Sequence, residues 1–428
     1  NFSACNTPEP IDQDETMLWL ANGRSYKEVL ASVETRIDST LSKEEYHIYD
    51  ANGKRYIDGG SQAAIRYGVY ALQRAEVLGK ADAGLDIHEK PYYEYRILNH
   101  WDNLDDTVER GYAGLSMWEW TAKEIPTERI HHYGELCASV GLNGAVLNNV
   151  NANPLILDKE HIERVAQIAN ILREYGITTY LSIKWTSPVT LDGLKSGDPL
   201  DPKVRQWWKN KAAEIYTAIP DFGGFLVKAN SEGQAGPQDY GRTHADGANM
   251  LAEAVAPYGG IIMWRAFVYN PTSNDRANQA VEEFKSLDGQ FADNVIIQIK
   301  NGPIDFQPRE PFSPLFGQLY NTPMMMEFQI TQEYLGFSNH LVYHGTTYEE
   351  CLDSDTYRDG KGSTIAKMVK AIAGVANTGQ DPNFCGYIFA QSNWYAFGRL
   401  AWDPTLSAEQ IANEWIHQTF IKPTGSNL

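Results

Sequence analysis

Residues 178–230 contain TTYLSIKW (178–185), then DPKVRQWWKNKAAEIYTAI (201–219), then GGFLVKAN (223–230). The outer segments are short β-rich apolar runs and the middle one carries helical periodicity, so the stretch reads as a β–α–β unit. Working outward from it, runs of the same kind recur from about residue 91 onward: YRILNHW (95–101), GAVLNN (144–149), GIIMWRAFV (260–268), NVIIQIKNG (294–302), PMMMEFQIT (323–331) and CGYIFAQSN (385–393). Helical periodicity falls between or after them at 158–175, 244–256, 275–284, 364–376 and 407–420. Eight strands alternating with helices predict a (β/α)8 barrel. A doubly wound sheet needs a Gly-rich phosphate turn after its first strand, and none is present there.

Each run begins apolar and ends in polar or aromatic residues. The ends are His100-Trp101-Asp102, Asn148-Asn149, Lys184-Trp185, Lys228 with Asn230, Trp264-Arg265, Lys300-Asn301, Gln329 with Thr331, and Asn393-Trp394. A barrel brings such ends to one face, the face that holds active sites. One polar strand terminus is ordinarily structural; eight together predict a cleft lined with cations, amides and indoles. Residues 16–90 form a separate region, a small α/β appendage with a hairpin at Ala51-Asn-Gly-Lys54 and a helix over 61–78. The sequence thus divides into a tether at 1–15, the appendage at 16–90 and the barrel at 91–428.

Composition narrows the partners. A net charge of −19 disfavours nucleic acid and anionic membranes, and no run of 18 apolar residues exists to span a bilayer. Aromatic residues make up 12%, with 11 tryptophans, a supply of flat faces with polar edges that suits sugar rings. The four cysteines are far apart and free thiols are expected. Ser3-Ala4-Cys5 resembles the end of a bacterial lipoprotein signal and precedes a polar stretch. Export to the periplasm or cell surface is one reading; a cytoplasmic protein with an arbitrarily trimmed end is the other.

Three carboxylate-bearing segments follow predicted strands: Glu232 in KANSEGQAGP (228–237), Asp305 in KNGPID (300–305), and Glu327 with Glu333 in EFQITQE (327–333). Carboxyls facing each other across a barrel mouth are what glycosidic cleavage requires. One donates a proton to the leaving oxygen, and another activates water or attacks the anomeric carbon. Lys184, Lys228, Arg265 and Lys300 end consecutive strands in an otherwise acidic protein, which predicts an anionic group on the ligand. The same cations could simply pair with the site carboxylates, and both roles are compatible. His131-His132 and His340 with His344 lack metal-site spacing, so neither a metal nor a cofactor is implied.

Five segments strongly resemble glycoside hydrolase family 67: HWDNLDDTVERGYAG (100–114), VKANSEGQAGPQDYGRTHAD (227–246), MWRAFVY (263–269), KNGPIDFQPREP (300–311) and MEFQITQEYLG (326–336). The resemblance implies an inverting α-glucuronidase. Such an enzyme removes glucuronic or 4-O-methylglucuronic acid α-1,2-linked to the terminal xylose of xylo-oligosaccharides. It implies Glu232 as general acid, with Asp305 and Glu333 as alternative bases. Lys228, Arg265 and Lys300 would bind the uronate, with Lys184 and Asn149 beside them, and Trp101 or a nearby indole would be a sugar platform. Inversion places acid and base carboxyls about 6.5–9.5 Å apart. Two alternatives stand: a retaining glycosidase with Glu327 or Glu333 as nucleophile, and a non-catalytic uronate-binding barrel. Set against the family pattern the chain departs from it and reads as a short form without the usual helical C-terminal domain, which leaves the oligomeric state open.

Overall fold

The computed structural model describes residues 19–20, 23–230, 235–266, 275–307, 312–337, 339–381 and 383–420. The proposed tether at 1–15 lies outside the described residues. Four strands open the chain: β1 (Glu34–Ile37), β2 (Tyr46–Ala51), β3 (Lys54–Gly59) and β4 (Asp86–Glu89), in the sheet order β1-β3-β2-β4. Asn52 and Gly53, with φ of 52° and 70°, join β2 to β3 through the doubly left-handed turn that an Asn-Gly pair favours. The helix Gln62–Val77, capped by Ser61, buries Ile65, Val69 and Leu72 against Ile48 and Ile57 of this sheet.

Eight parallel strands then close a barrel: β5 (Tyr95–His100), β6 (Gly144–Val146), β7 (Thr178–Ile183), β8 (Gly224–Val227), β9 (Ile261–Arg265), β10 (Val295–Lys300), β11 (Met324–Gln329) and β12 (Val369–Ala376). Alternation along each strand sorts the side chains into two sets. Ile97, Val146, Tyr180, Leu226, Met263, Ile296, Met325 and Ala373 fill the interior, while Leu98, Ala145, Leu181, Phe225, Trp264, Ile297, Met326 and Ile372 face the surrounding helices. The large ring of Tyr180 fits inside because its neighbours are glycines. A Cβ on Gly223 would lie 2.2 Å from that ring, and one on Gly144 3.0 Å.

The eighth strand departs from the sequence reading. It is Val369–Ala376, a segment whose alanines suggest helix, and only Ile365–Met368 is helical there. Tertiary pairing overrides propensity: β12 bonds to β11 on one side and β5 on the other. It places small Ala371 and Ala373 inside the barrel, where larger neighbours need room. The run 385–393 instead leads through a 3-10 turn into the fully buried helix Gln391–Trp402. Asn393 is therefore not a strand end. Its amide donates to the Val342 carbonyl (3.0 Å) and its oxygen accepts from the His344 N–H (2.7 Å), tying down the loop after β11.

The appendage packs against the barrel near the start of β5, away from the C-terminal strand ends. Fully buried Arg96 pairs with Glu44 at 2.7 Å, and Trp402 stacks on Tyr46 while its indole N–H donates to Glu89. Cys137, Cys351 and Cys385 are buried free thiols.

Candidate active site

The interior parity that is apolar at the bottom of the barrel becomes polar at its C-terminal end. Arg265 closes β9, Gln298 and Lys300 close β10, and Glu327 lies near the end of β11. Register aligns Arg265 with Gln298 and Lys300 with Glu327. Glu327, fully buried, accepts from Arg265 Nε (2.9 Å), Arg265 Nη2 (2.6 Å) and Gln298 Nε2 (2.6 Å). Burial alone would raise the Glu327 carboxyl, but the charges of Arg265 and Lys300 outweigh it and hold it below the ordinary range. Both Glu327 oxygens are thus engaged, one by the Arg265 guanidinium alone and the other by it together with the Gln298 amide.

Lys300 is the next cation along the same strand. Its ammonium donates to Asp305 Oδ1 and sits 4.2 Å from the centre of the Phe306 ring. Burial, then the like charge of Arg265, brings its pKa down to about 8. Asp305 has a left-handed backbone (φ 50°), and its second oxygen accepts from the Tyr334 hydroxyl. Burial pushes the Asp305 carboxyl up, yet Lys300 and the Tyr334 hydrogen bond hold it below its usual value.

Glu333 and Tyr334 are consecutive in the turn after β11, which hangs on fully buried Gln332: the Leu335 and Phe337 N–H groups both donate to its carbonyl. Glu333 accepts from Gln329 Nε2 (2.8 Å) and pairs with Arg110. Burial, reinforced by the negative charge of Asp305, raises its carboxyl despite those two partners. The two carboxylates left as alternatives by the sequence are thus neighbours with opposite shifts.

The far wall comes from the loop after β5. The Glu109 N–H donates to the Trp101 carbonyl (2.9 Å), folding this loop back across the barrel end. Glu109 accepts from Asn149 (2.8 Å) and Asn151 (3.1 Å), and Lys228 donates to Asn151 Oδ1 (2.6 Å). Burial raises the Glu109 carboxyl, but these amides and the charges of Arg110 and Lys228 bring it below normal. The Arg110 guanidinium lies 5.6 Å from the Trp101 ring centre, over a ring only 4% exposed. Lys184 stands half-buried at the end of β7 with no ion pair or side-chain hydrogen bond to another described residue. Glu232 lies outside the described residues, between Asn230, itself left-handed at φ 56°, and Ala235.

The structure therefore gathers Asp305, Glu333, Lys300 and Arg265 on one side, and Lys228 with Asn149 on the other. Glu109, Arg110, Asn151 and Tyr334 line the same opening and escape a reading based on strand ends. Glu109 and Arg110 fall within the segment 100–114 that resembles family 67, but nothing in local periodicity shows that the loop returns. Some polar strand ends are structural: Asn148 supplies the β6–β7 ladder through Ser182, and Trp185 packs edge-on against Trp264. Among the described residues no cluster of three metal-ligating side chains occurs.

Carboxylates and cations gathered at the C-terminal mouth of a parallel (β/α)8 barrel define the class, a barrel of the kind that holds its active site at that face. The chain belongs to glycosyl hydrolase family 67. The middle-domain model of that family matches residues 77–384, and the model of its C-terminus matches 385–425. The second match begins just beyond β12, so the run mistaken for an eighth strand aligns with the family's C-terminal part. Alpha-glucuronidase A of Emericella nidulans is 45% identical over 403 residues, covering 89% of this chain and 48% of the relative. Probable alpha-glucuronidase A of Aspergillus clavatus is 43% identical over 398 residues, covering 89% and 47%. The chain spans about half the length of these curated relatives. Among solved structures, a GH138 enzyme targeting pectin rhamnogalacturonan II has a TM-score of 0.58 at 15% identity, covering 92% of this chain and 50% of that one. A GH20 exo-β-N-acetylglucosaminidase from Vibrio harveyi gives 0.54 at 11%, covering 96% and 72%. Both share the fold. No helix among the described residues is long and apolar enough to cross a membrane.

Proposed function

We propose that this barrel is the catalytic part of an α-glucuronidase. It releases glucuronic or 4-O-methylglucuronic acid, α-1,2-linked to the terminal xylose of xylo-oligosaccharides, with inversion. The observation that carries the reading is the pairing of two adjacent carboxylates, Asp305 and Glu333, with a cluster of buried cations at the mouth of a family 67 barrel. The names of the relatives point the same way.

In this reading Lys228, Arg265 and Lys300 hold the uronate carboxylate. Arg265 is oriented by Glu327, and Lys228 by Asn151. Glu232 protonates the glycosidic oxygen as the bond to the anomeric carbon lengthens. Water attacks from the opposite face and loses its proton to Glu333, whose raised basicity suits that task. Asp305, with both oxygens occupied by Lys300 and Tyr334, stays ionised and steadies the developing positive charge on the sugar ring. Asn149 fixes Glu109 at the rim. Trp101 serves as a sugar face once Arg110 moves off its ring. Lys184 adds positive potential. Export to the periplasm or cell surface is part of the same proposal and is supported by the Ser3-Ala4-Cys5 stretch.

The test is proton NMR of hydrolysis of an aldouronic acid carrying a terminal methylglucuronosyl-xylose. The β-anomer of the uronic acid should appear first, and Glu232→Ala, Asp305→Ala and Glu333→Ala should each lose most of the rate. The α-anomer appearing first would overturn inversion. Binding without turnover would leave a uronate-binding barrel in its place.

A further inference from the structure

Asp305 is held by two donors from different parts of the chain. Lys300 belongs to the same β10 end, five residues earlier. Tyr334 belongs to the turn after β11 and is the immediate neighbour of Glu333. The phenol ring is 42% exposed at the mouth, so core packing does not account for its placement. Its hydroxyl reaches the one carboxylate oxygen that Lys300 does not engage. The turn that carries it is fixed from below by Gln332, whose side chain bonds with the hydroxyl of Tyr387. Asp305 itself holds a left-handed backbone, φ 50°, uncommon for a non-glycine residue though readier for aspartate than for most.

We propose that Tyr334 is a positioning residue that bridges the β10 and β11 loops, clamping Asp305 in its ionised, left-handed arrangement and thereby setting the spacing between Asp305 and Glu333. The proposal rests on the reading of Glu333 as the base and of Asp305 as the carboxylate that must stay ionised beside it, so that the acidic limb of the rate reports both groups. A hydroxyl donated to a carboxylate stabilises the charged form, so its loss makes Asp305 easier to protonate. Because the two carboxylates sense each other, a proton gained by Asp305 changes the titration of the pair.

The experiment compares the parent chain with Tyr334→Phe, which keeps the ring and removes the hydroxyl. With a methylglucuronosyl xylo-oligosaccharide, kcat should fall about 10- to 100-fold, with KM changed less than about twofold. The acidic limb of the kcat profile should move up by about one pH unit. In an Asp305→Asn background the same substitution should cost little more. An equal loss of kcat at every pH, with the limb in place, would overturn the proposal, as would full additivity with Asp305→Asn. If the parent chain releases no uronic acid, it is the glucuronidase reading that fails. The clamp is then judged by carboxyl carbon-13 NMR of aspartate-labelled protein, with the Asp305 signal assigned through Asp305→Asn. An Asp305 titration that rises in Tyr334→Phe supports the clamp, and one that stays unchanged refutes it.

Discussion

Removing the carboxylate of Glu327 takes from buried Arg265 the acceptor of two of its N–H groups. In Glu327→Leu the guanidinium, 3% exposed, loses both bonds to that carboxylate, and the Gln298 amide loses its bond at 2.6 Å. Breaking a buried pair from one side costs about 3–5 kcal/mol, to which the orphaned amide adds about 1 kcal/mol. Arg265→Met strands the carboxylate instead, at a similar cost. The double variant removes both charges and substitutes apolar side chains of comparable size, so its cost should be about 0–3 kcal/mol, far below the sum of the singles. Urea unfolding at pH 7 reads this directly. With a slope of about 3 kcal/mol/M, each single variant shifts the midpoint down by more than about 1 M, and the double recovers most of it. A Glu327→Leu loss below about 1 kcal/mol would refute the idea that the two charges depend on each other in the core, as would a double variant equal to the sum. Hydrolysis separates the two roles of Arg265: the double variant should stay folded under assay conditions yet bind uronate poorly, with a raised KM.

Three further outcomes follow from the site and its surroundings. Lys300, brought down to about 8 by burial and Arg265, is charged below that pH and neutral above it, so kcat/KM should fall through pH 8 while kcat holds; a flat kcat/KM to pH 9 would count against Lys300 as a uronate ligand. Arg110→Ala removes a cation that lowers the Glu333 carboxyl, so the acidic limb of the rate profile should move upward; an unmoved limb would mean that Glu333 is not the base. Asp102, fully buried with Ser116 as its donor, is pushed up to about 8 by burial. It therefore favours the folded state fully below the unfolded value near 4, and that contribution is lost as pH rises through 8. Buried His100, brought down to about 3, acts in the opposite sense, its contribution being lost as pH falls from 6.5 toward 3. Asp102→Asn should therefore gain thermal stability over the parent progressively from pH 5 to 8.5, and a constant difference in melting temperature would show that Asp102 does not titrate there.

The sequence by itself was enough for the barrel, and it put Lys228, Arg265, Lys300 and the carboxylates after β10 and β11 at or just beyond strand ends. These are local facts: strand alternation has a fixed period of two, and a chain whose strands all run the same way must present their C-terminal residues on one face. Only tertiary structure decided which polar strand ends serve the site and which serve the fold. Asn148 and Asn393 prove to be backbone partners of neighbouring loops and strands, while Arg265 is committed to Glu327 across β10. Only tertiary structure, too, placed β12 at Val369–Ala376, since closing the barrel rewards small inward side chains whatever their helical preference. The loop after β5, which brings Glu109 and Arg110 back over Trp101, and the turn that aims Tyr334 at Asp305 are set by long-range hydrogen bonds. No periodicity in the sequence encodes such bonds, because the partners, Glu109 with Asn149 and Asn151, and Tyr334 with Asp305, lie in different loops of the chain.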